Sequence, residues 1–539
     1  MYSYLTQRGT ISRPFNEGHI TPEEAQKVVL LASSALGFYA KAQDAEHYQY
    51  KASHRLWQST TIPAGLARDI ITTIGRSAVS FNYRGGNYHH IQEGTSRQSY
   101  SFETEQWRTI GKYIYAYGFA HIKQDKIKQA AWNDLYRPIR SNPYGVGSRV
   151  QGDYTEQDFN FSTQLATRPL GRWTLGLGLD YNMGDLSRLR DPRSRVLLLD
   201  YKLAPSFTWN FYNQHTLGLA FSYERRKEKL LNLTTVQEYP NLTYYFYKGL
   251  NEQTNLIGGY KGFSRQWVDE TYQLSLAHAV STKNLRSLVH LSLGTSSEAV
   301  TEAAKYQPGK YHRTIYTAEW QGLYSGVKSL QTLQIGTKLD AGKADEYLSQ
   351  EINTQDPETK INSKYWDITY IYKNRFKQDN LSLNLRYKYA WVKHSTSSQQ
   401  AYIGLSSQYN YYKQSYSLPV KRQRADRAEF NLLGGGTLNL NPKSKLNIDA
   451  SLGYSYSPKN ELVGFSTLSN NDYTDAVLSP LQAFYTANLA KMQLILEYQH
   501  RLKLGKTYHF GYLHFLSDYY HSSNNLNRYQ LALSLGLYH

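Results

Sequence analysis

The segment RWTLGLGLDYN (172–182) alternates without a break. Trp173, Leu175, Leu177, Leu179 and Tyr181 share one parity; Thr174, Gly176, Gly178, Asp180 and Asn182 share the other. Successive side chains of a β-strand point to opposite faces, so this strand has one oily face and one small, polar face. From about residue 76 onward the same period recurs, in 214–224, 272–280, 366–372, 381–391, 446–456 and 492–499. Leu and Ile hold the middle of the oily face and Tyr or Trp its ends, as Trp173 and Tyr181 bracket three leucines. Amphipathic rings prefer the headgroup level of a bilayer, which gives that order a cause in lipid that a soluble core lacks.

The connections supply a second test. Short ones at 212–214, 281–284, 325–329, 441–445 and 503–507 alternate with long polar ones at roughly 227–266, 296–310, 341–363, 394–426 and 458–478. Tight periplasmic turns and long extracellular loops are what an outer-membrane barrel shows. The fold expected is all-β: a transmembrane antiparallel β-barrel of about 18 strands, within a range of about 14 to 18, with no plug domain. Residues 398–416 are read either as strand or as an extended loop hairpin. A soluble all-β protein is the alternative.

The N-terminus reads differently. Lys27, the apolar run Val28–Tyr39 and Ala40-Lys41-Ala42 describe a secretory signal peptide. Thr21, Pro22 and Glu24 upstream read as a helix start, so an amphipathic helix over 21–42 is the competing reading. The domain reading is a leader at 1–42 with the signal peptide at 27–42, a short periplasmic segment at 43–75, and a barrel from 76 to 539 in the bacterial outer membrane. The segment at 43–75 is too short for a globular plug, which argues against energy-coupled import through this chain alone.

Composition narrows the chemistry. There are 50 tyrosines among 539 residues, suited to surfaces half apolar and half wet. No cysteine is present, which removes disulfides, thiolate metal sites and catalytic thiols. No G-x-S-x-G, H-E-x-x-H or Walker A motif occurs, so neither an enzyme nor a cofactor is expected. Glycines in GLGLD (176–180) are read as letting backbone or side chains pack closely in the wall, and His89, His90, His509 and His514 as interfacial residues rather than metal ligands or catalytic bases. A barrel hydrolase is the remote alternative.

If the oily parity faces lipid, the other faces the lumen. That assigns inward Asp180, Asp200, Lys202, Glu224, Arg226, Arg286, His290, Lys338, Asp340, Arg386, Lys388, Asp449 and Glu497. Such residues either solvate and cross-link the interior or form a charged constriction that selects solutes. The net charge is +18, and basic residues cluster in the stretches 187–195, 224–229 and 420–427. Arg188, Arg190, Arg193, Arg195, Lys421, Arg422, Arg424 and Arg427 are the extracellular basic candidates, either hydrated or paired with lipopolysaccharide phosphates. No nucleic-acid motif accompanies the charge, so nucleic acid is not an expected partner.

The stretch MGDLSRLRDPRSRVLLLDYKLAPSFTWN (183–210), with its Asp191-Pro192-Arg193 loop, is similar to a segment of a poorly characterised family of Bacteroidota outer-membrane β-barrel proteins. The preceding stretch, about 76–170, with KYIYAYGFAHIK and AAWND, is also similar. The resemblance implies a barrel in the outer membrane and supplies no catalytic residues. The function expected is a passive pore or solute transporter for a small solute. The alternative is an occluded barrel serving as a scaffold for surface or periplasmic partners such as a lipoprotein, with Tyr-rich loops such as EYPNLTYYFYKG (238–249) suited to recognition.

Overall fold

A computed structural model describes residues 55–69, 73–136, 142–234, 242–250, 252–257, 261–355, 357–359, 362–392, 399–465, 474–504 and 507–539. The leader expected at 27–42 lies outside these residues. The described residues belong to one compact unit, Ala42–His539.

In chain order the strands are β1 (Ile74–Gly86), β2 (Ser96–Ile110), β3 (Ile114–Ala130), β4 (Val146–Ser148), β5 (Gly152–Thr167), β6 (Trp173–Arg188), β7 (Arg195–Tyr212) and β8 (His215–Thr234). Then come β9 (Thr243–Gly249), β10 (Glu252–Ile257), β11 (Lys261–Ser281), β12 (Leu285–Glu302), β13 (Gly309–Ser325), β14 (Ser329–Gln355) and β15 (Asn362–Val392). The last are β16 (Gln399–Tyr416), β17 (Lys421–Asn441), β18 (Ser444–Tyr456), β19 (Asn460–Val463), β20 (Leu489–Leu504), β21 (Thr507–Ser522) and β22 (Asn527–Tyr538). Strands β4, β9 and β10 form a small separate sheet, and β19 is a short appendage on β17. The other strands form an 18-stranded closed antiparallel barrel. Closure comes from β1 and β22, which pair from Arg76↔Tyr538 to Gly86↔Arg528. A closed sheet leaves no edge, so every ladder group is satisfied inside a hydrocarbon layer that offers no water.

The parities fall as the alternation predicts. Leu175 and Leu177 are about half exposed on the outer face, while Thr174 between Trp173 and Leu175 is fully buried on the inner one. The oily face of 172–182 therefore touches lipid, and the chain is an outer-membrane barrel. A Lys or Arg at the bilayer midplane on that face would cost about 2–4 kcal/mol, which keeps charge on the inward parity.

The loop expectations need correction in three places. The long loop expected at 341–363 is mostly strand: β14 and β15 continue as a two-stranded ribbon, paired from Glu346↔Tyr372 to Gln355↔Asn362. The one expected at 394–426 contains a barrel strand, β16, with Ile403 and Leu405 on the lipid side and only 417–420 as its outer turn. That at 296–310 shrinks to 303–308. In β16 hydroxyl, amide and tyrosine side chains on both parities hide the period, whereas at 341–363 and 296–310 the strands run on above the bilayer. Above the bilayer both faces of a strand meet water, so the period-2 signal fades while the ladder hydrogen bonds continue.

Candidate functional site in the lumen

The N-terminal run RLWQSTTIPAGLARD (55–69) does not stay outside the barrel. It folds into two 3₁₀ turns, Trp57–Ser59 and Pro63–Arg68. The first is closed by Thr60, whose hydroxyl and backbone N–H both donate to the Trp57 carbonyl, at 2.7 and 3.0 Å. The second begins at Pro63, whose fixed φ suits a helical start. Together they lie on the inner wall at the short-turn end.

Small inward residues make the seat. A methyl on Gly176 would come within 2.2 Å of the Ala64 nitrogen, and one on Gly218 within 2.7 Å of the Trp57 ring. Ala220, Ala277 and Ala279 complete a buried cluster with Leu56, Trp57, Ile62 and Ala64. Polar contacts fix the register: Ala64 N donates to Ser206 Oγ (2.9 Å), Thr61 Oγ1 to Ser275 Oγ (2.6 Å) and Gln321 Nε2 to Ser59 Oγ (2.6 Å). Asp69 accepts from the backbone N–H groups of Trp57 (3.3 Å) and Gln58 (3.1 Å) and pairs with Arg286 at 3.4 Å. Burial pushes the Asp69 carboxyl up to about 6, against the opposing pull of Arg286 and those two N–H groups.

Against β5–β8 and β11–β16 the outer lumen is filled from above. Tyr136, Tyr144, Tyr244 and Phe246 turn inward and pack with Leu186, Leu198, Leu230, Trp267, Tyr311 and Phe376. Trp267 Nε1 donates to the Tyr144 carbonyl at 2.9 Å, and Tyr144 OH donates to the Asp345 carbonyl at 2.5 Å. Here the inward parity of β6–β8 is apolar, where polar side chains were expected. The tyrosines of 242–249 accordingly form core rather than an exposed recognition surface.

All thirteen lumen candidates lie on inward-facing parities, but they divide into groups. Asp180, Asp200, Lys202, Glu224 and Arg226 come together through the pairs Asp180↔Lys202, Lys202↔Glu224 and Asp200↔Arg226. Arg226 also stands opposite Asp269, which with Asp340 holds Arg313 at 3.1 and 3.3 Å. Arg286 and His290 belong to the seat of the N-terminal run, His290 Nε2 lying 3.2 Å from Thr61 Oγ1. Lys388 stands 3.6 Å from the Tyr402 ring centre, Tyr402 OH donates to Asp449 at 2.5 Å, and Arg386 lies two residues away on β15. Lys338 faces Ser382 across β14 and β15, and Glu497 accepts from Tyr538 OH at 3.1 Å.

Most of the basic candidates have partners within the chain. Arg188 is buried and donates to the carbonyls of Val150 (2.9 Å) and Asp191 (2.7 Å). Arg193 pairs with Asp191 (3.4 Å), Arg195 with Asp185 (2.6 Å), Arg422 with Glu461 (3.1 Å) and Arg424 with Asp426 (2.6 Å). Arg427 donates to Tyr88 OH and to the carbonyls of Phe484 and Ala487 at 3.1–3.2 Å, pinning the helix Ser479–Thr486. Lys421 lies 5.9 Å from the Phe465 ring, and Arg190 is exposed in the bend before Asp191.

Residues that sequence patterning missed line β1–β3. Arg97 joins Asp125 and Glu156, and Lys123 joins Asp125 (2.9 Å) and Glu156 (3.2 Å). Glu93, in the 87–95 connection, takes Arg84 (2.8 Å), Arg528 (2.7 Å) and His90 (3.4 Å). Burial drives the His90 ring down to about 4, and although burial also raises Glu93, Arg84 and Arg528 outweigh it and hold that carboxyl below its ordinary value. Among the described residues no group of three or more His, Cys, Asp or Glu is placed to hold a metal.

A model described as a family of unknown function, DUF6850, matches residues 63–539. The chain belongs to that family. The DUF6850 match takes in the lumenal turn Pro63–Arg68 together with the whole barrel, and it carries no taxon. No curated protein matches the chain. Among solved structures it is similar to the copper transporter OprC, at 7% identity over 87% of this chain and 81% of that one, with a TM-score of 0.39. It is also similar to BauA, the ferric preacinetobactin receptor of Acinetobacter baumannii, at 10% identity over 87% and 80%, TM-score 0.38. The FrpB iron transporter of Neisseria meningitidis is 8% identical over 89% and 83%, TM-score 0.38. At such identities and scores nothing follows about solute or mechanism.

Proposed function

We propose that this DUF6850 barrel is a gated solute transporter of the outer membrane in which residues 55–69 act as the gate. The observation that carries the reading is the seat. Glycines and alanines of the wall accept the run, and its polar anchors are scattered hydrogen bonds from Thr61, Ala64 and Arg68 with the ion pair Asp69–Arg286. A net hydrogen bond is worth about 0.5–1.5 kcal/mol, so such a run can leave its seat without unfolding the wall.

The test uses the absence of native cysteine. Thr61 Oγ1 and Ser275 Oγ lie 2.6 Å apart, close enough for thiols at both positions to bond. In the Thr61→Cys/Ser275→Cys protein, solute flux into proteoliposomes is expected to be low when oxidised and to return with reductant. Trp57→Ala, which empties the centre of the seat, is expected to raise single-channel current. Both variants are first shown to be folded by heat-shifted gel mobility. Flux indifferent to the disulfide, with Trp57→Ala silent, refutes the gate. The aromatic filling of the outer lumen around Tyr144 and Trp267 then supports the second reading, an occluded scaffold for surface or periplasmic proteins.

A further inference from the structure

The wall formed by β1, β2, β3, β21 and β22 carries a polar groove of about 520 Å³. Arg76 and Arg84 mark its two ends on β1. Eight residues of strand at roughly 3.3 Å each span about 26 Å, which at a tilt of about 40° is roughly 20 Å of height, most of a barrel's apolar band. Between the arginines the surface is small and hydroxylic or amide: Ser80, Asn82, Ser99, Ser101, Gln530 and Ser534. Most charges along it are paired in place, while Glu497 accepts from the neutral donors Tyr538 OH and Gln499 Nε2. Arg76 meets Glu105 at 2.5 Å, and Arg97 and Lys123 share Asp125 and Glu156.

One residue links two strands at the outer end. Glu93 belongs to the connection over the groove, and its two arginines stand on neighbouring strands, Arg84 on β1 and Arg528 on β22. The carboxylate thereby ties the loop across the top of the groove.

We propose that the solute path runs down this groove and that Glu93 is its outer latch. Hydroxyl and amide groups, paired charges and the single carboxylate of Glu497 suit a small neutral or zwitterionic solute rich in hydroxyl or amide groups. A strong anion would have to break an ion pair to gain a partner, leaving an opposite charge uncompensated. The inference rests on the transporter reading and adds the route and the solute class.

The experiment places single cysteines in the Trp57→Ala protein at Ser101 and Ser534, with Leu533→Cys on the lipid face as control. A charged, membrane-impermeant methanethiosulfonate is added while current is recorded. Current is expected to fall by more than half at both groove positions and to hold at the control. Glu93→Gln is expected to raise the open fraction several-fold. Liposome swelling is expected to be several-fold faster with glycine or arabinose than with gluconate. A silent Trp57→Ala protein, with Ile62→Ala silent as well, defeats the transporter reading and the path with it. Current that survives the reagent at both groove cysteines overturns the path alone. Equal swelling with gluconate overturns the solute class.

Discussion

Asp69 and Arg286 meet 3.4 Å apart within the barrel, one from the run on the inner wall and one from β12. Asp69 is the more deeply buried partner, and burial drives its carboxyl from 3.8 to about 6. The contact that holds the last residue of the run is therefore also the one most sensitive to protons.

The sign follows from proton counts. Between about pH 4 and 6 the seated run binds a proton at Asp69 that the free run does not, so its hold strengthens as pH falls through that window and weakens as pH rises through it. A shift of this size corresponds to about 3 kcal/mol, one pK unit being about 1.4 kcal/mol. Open probability in planar bilayers is expected to be lower at about pH 4 than at about pH 7, and Asp69→Asn to flatten the dependence. A wild-type profile that is flat or reversed contradicts this role.

His90 predicts the opposite trend at the outer end. Burial holds its ring at about 4 against an ordinary 6.5, so the folded loop binds fewer protons than the unfolded loop between those values. Stability of the loop is lost as pH falls through that range. Limited proteolysis of the 87–95 connection is expected to speed up on acidification, and His90→Gln to remove the effect. Unchanged cleavage in wild type would show that the loop is held without His90.

Gly176 and Gly218 tolerate no side chain while the run is seated. Gly176→Ala and Gly218→Val are expected to raise conductance and to expose 55–69 to protease, leaving the heat-shifted barrel band intact. Overpacking of this kind costs about 1–3 kcal/mol. Wild-type current and protection in both variants would place the run elsewhere.

Trp267 anchors the outer filling through its ring and its bond to the Tyr144 carbonyl. Trp267→Ala is expected to lower stability by about 3–5 kcal/mol. The measurement is the temperature at which the folded band disappears on a gel. A decrease well below the wild-type midpoint, without loss of membrane insertion, is the expected outcome.

Legibility in the sequence followed the solvent. Strands with lipid on one side and lumen on the other, such as β6 and β18, show the period plainly, because only one parity can be apolar there. In β2 the same period is hidden, since Ser, Thr and Gln stand on both parities around Arg97, Glu103 and Glu105. In the ribbon continuing β14 and β15 the period survives at 366–372, outside the barrel wall, and fades elsewhere, water lying on both sides. The inward charges were legible by parity, but not their grouping, which depends on registers such as Asp200↔Arg226.

The sequence by itself determined the wall: alternation set which side chains meet lipid, and short connections set which strands are neighbours and at which end they turn. It also placed the small residues Gly176, Gly178 and Gly218 on the inward parity. Only the tertiary structure decided what those glycines are for. The run at 55–69 has no periodicity of its own, and its burial comes from contacts with strands more than two hundred residues away, as Thr61 with Ser275, Asp69 with Arg286 and Ser59 with Gln321. The closed circumference brings those positions to one seat, and local pattern carries no record of that distance.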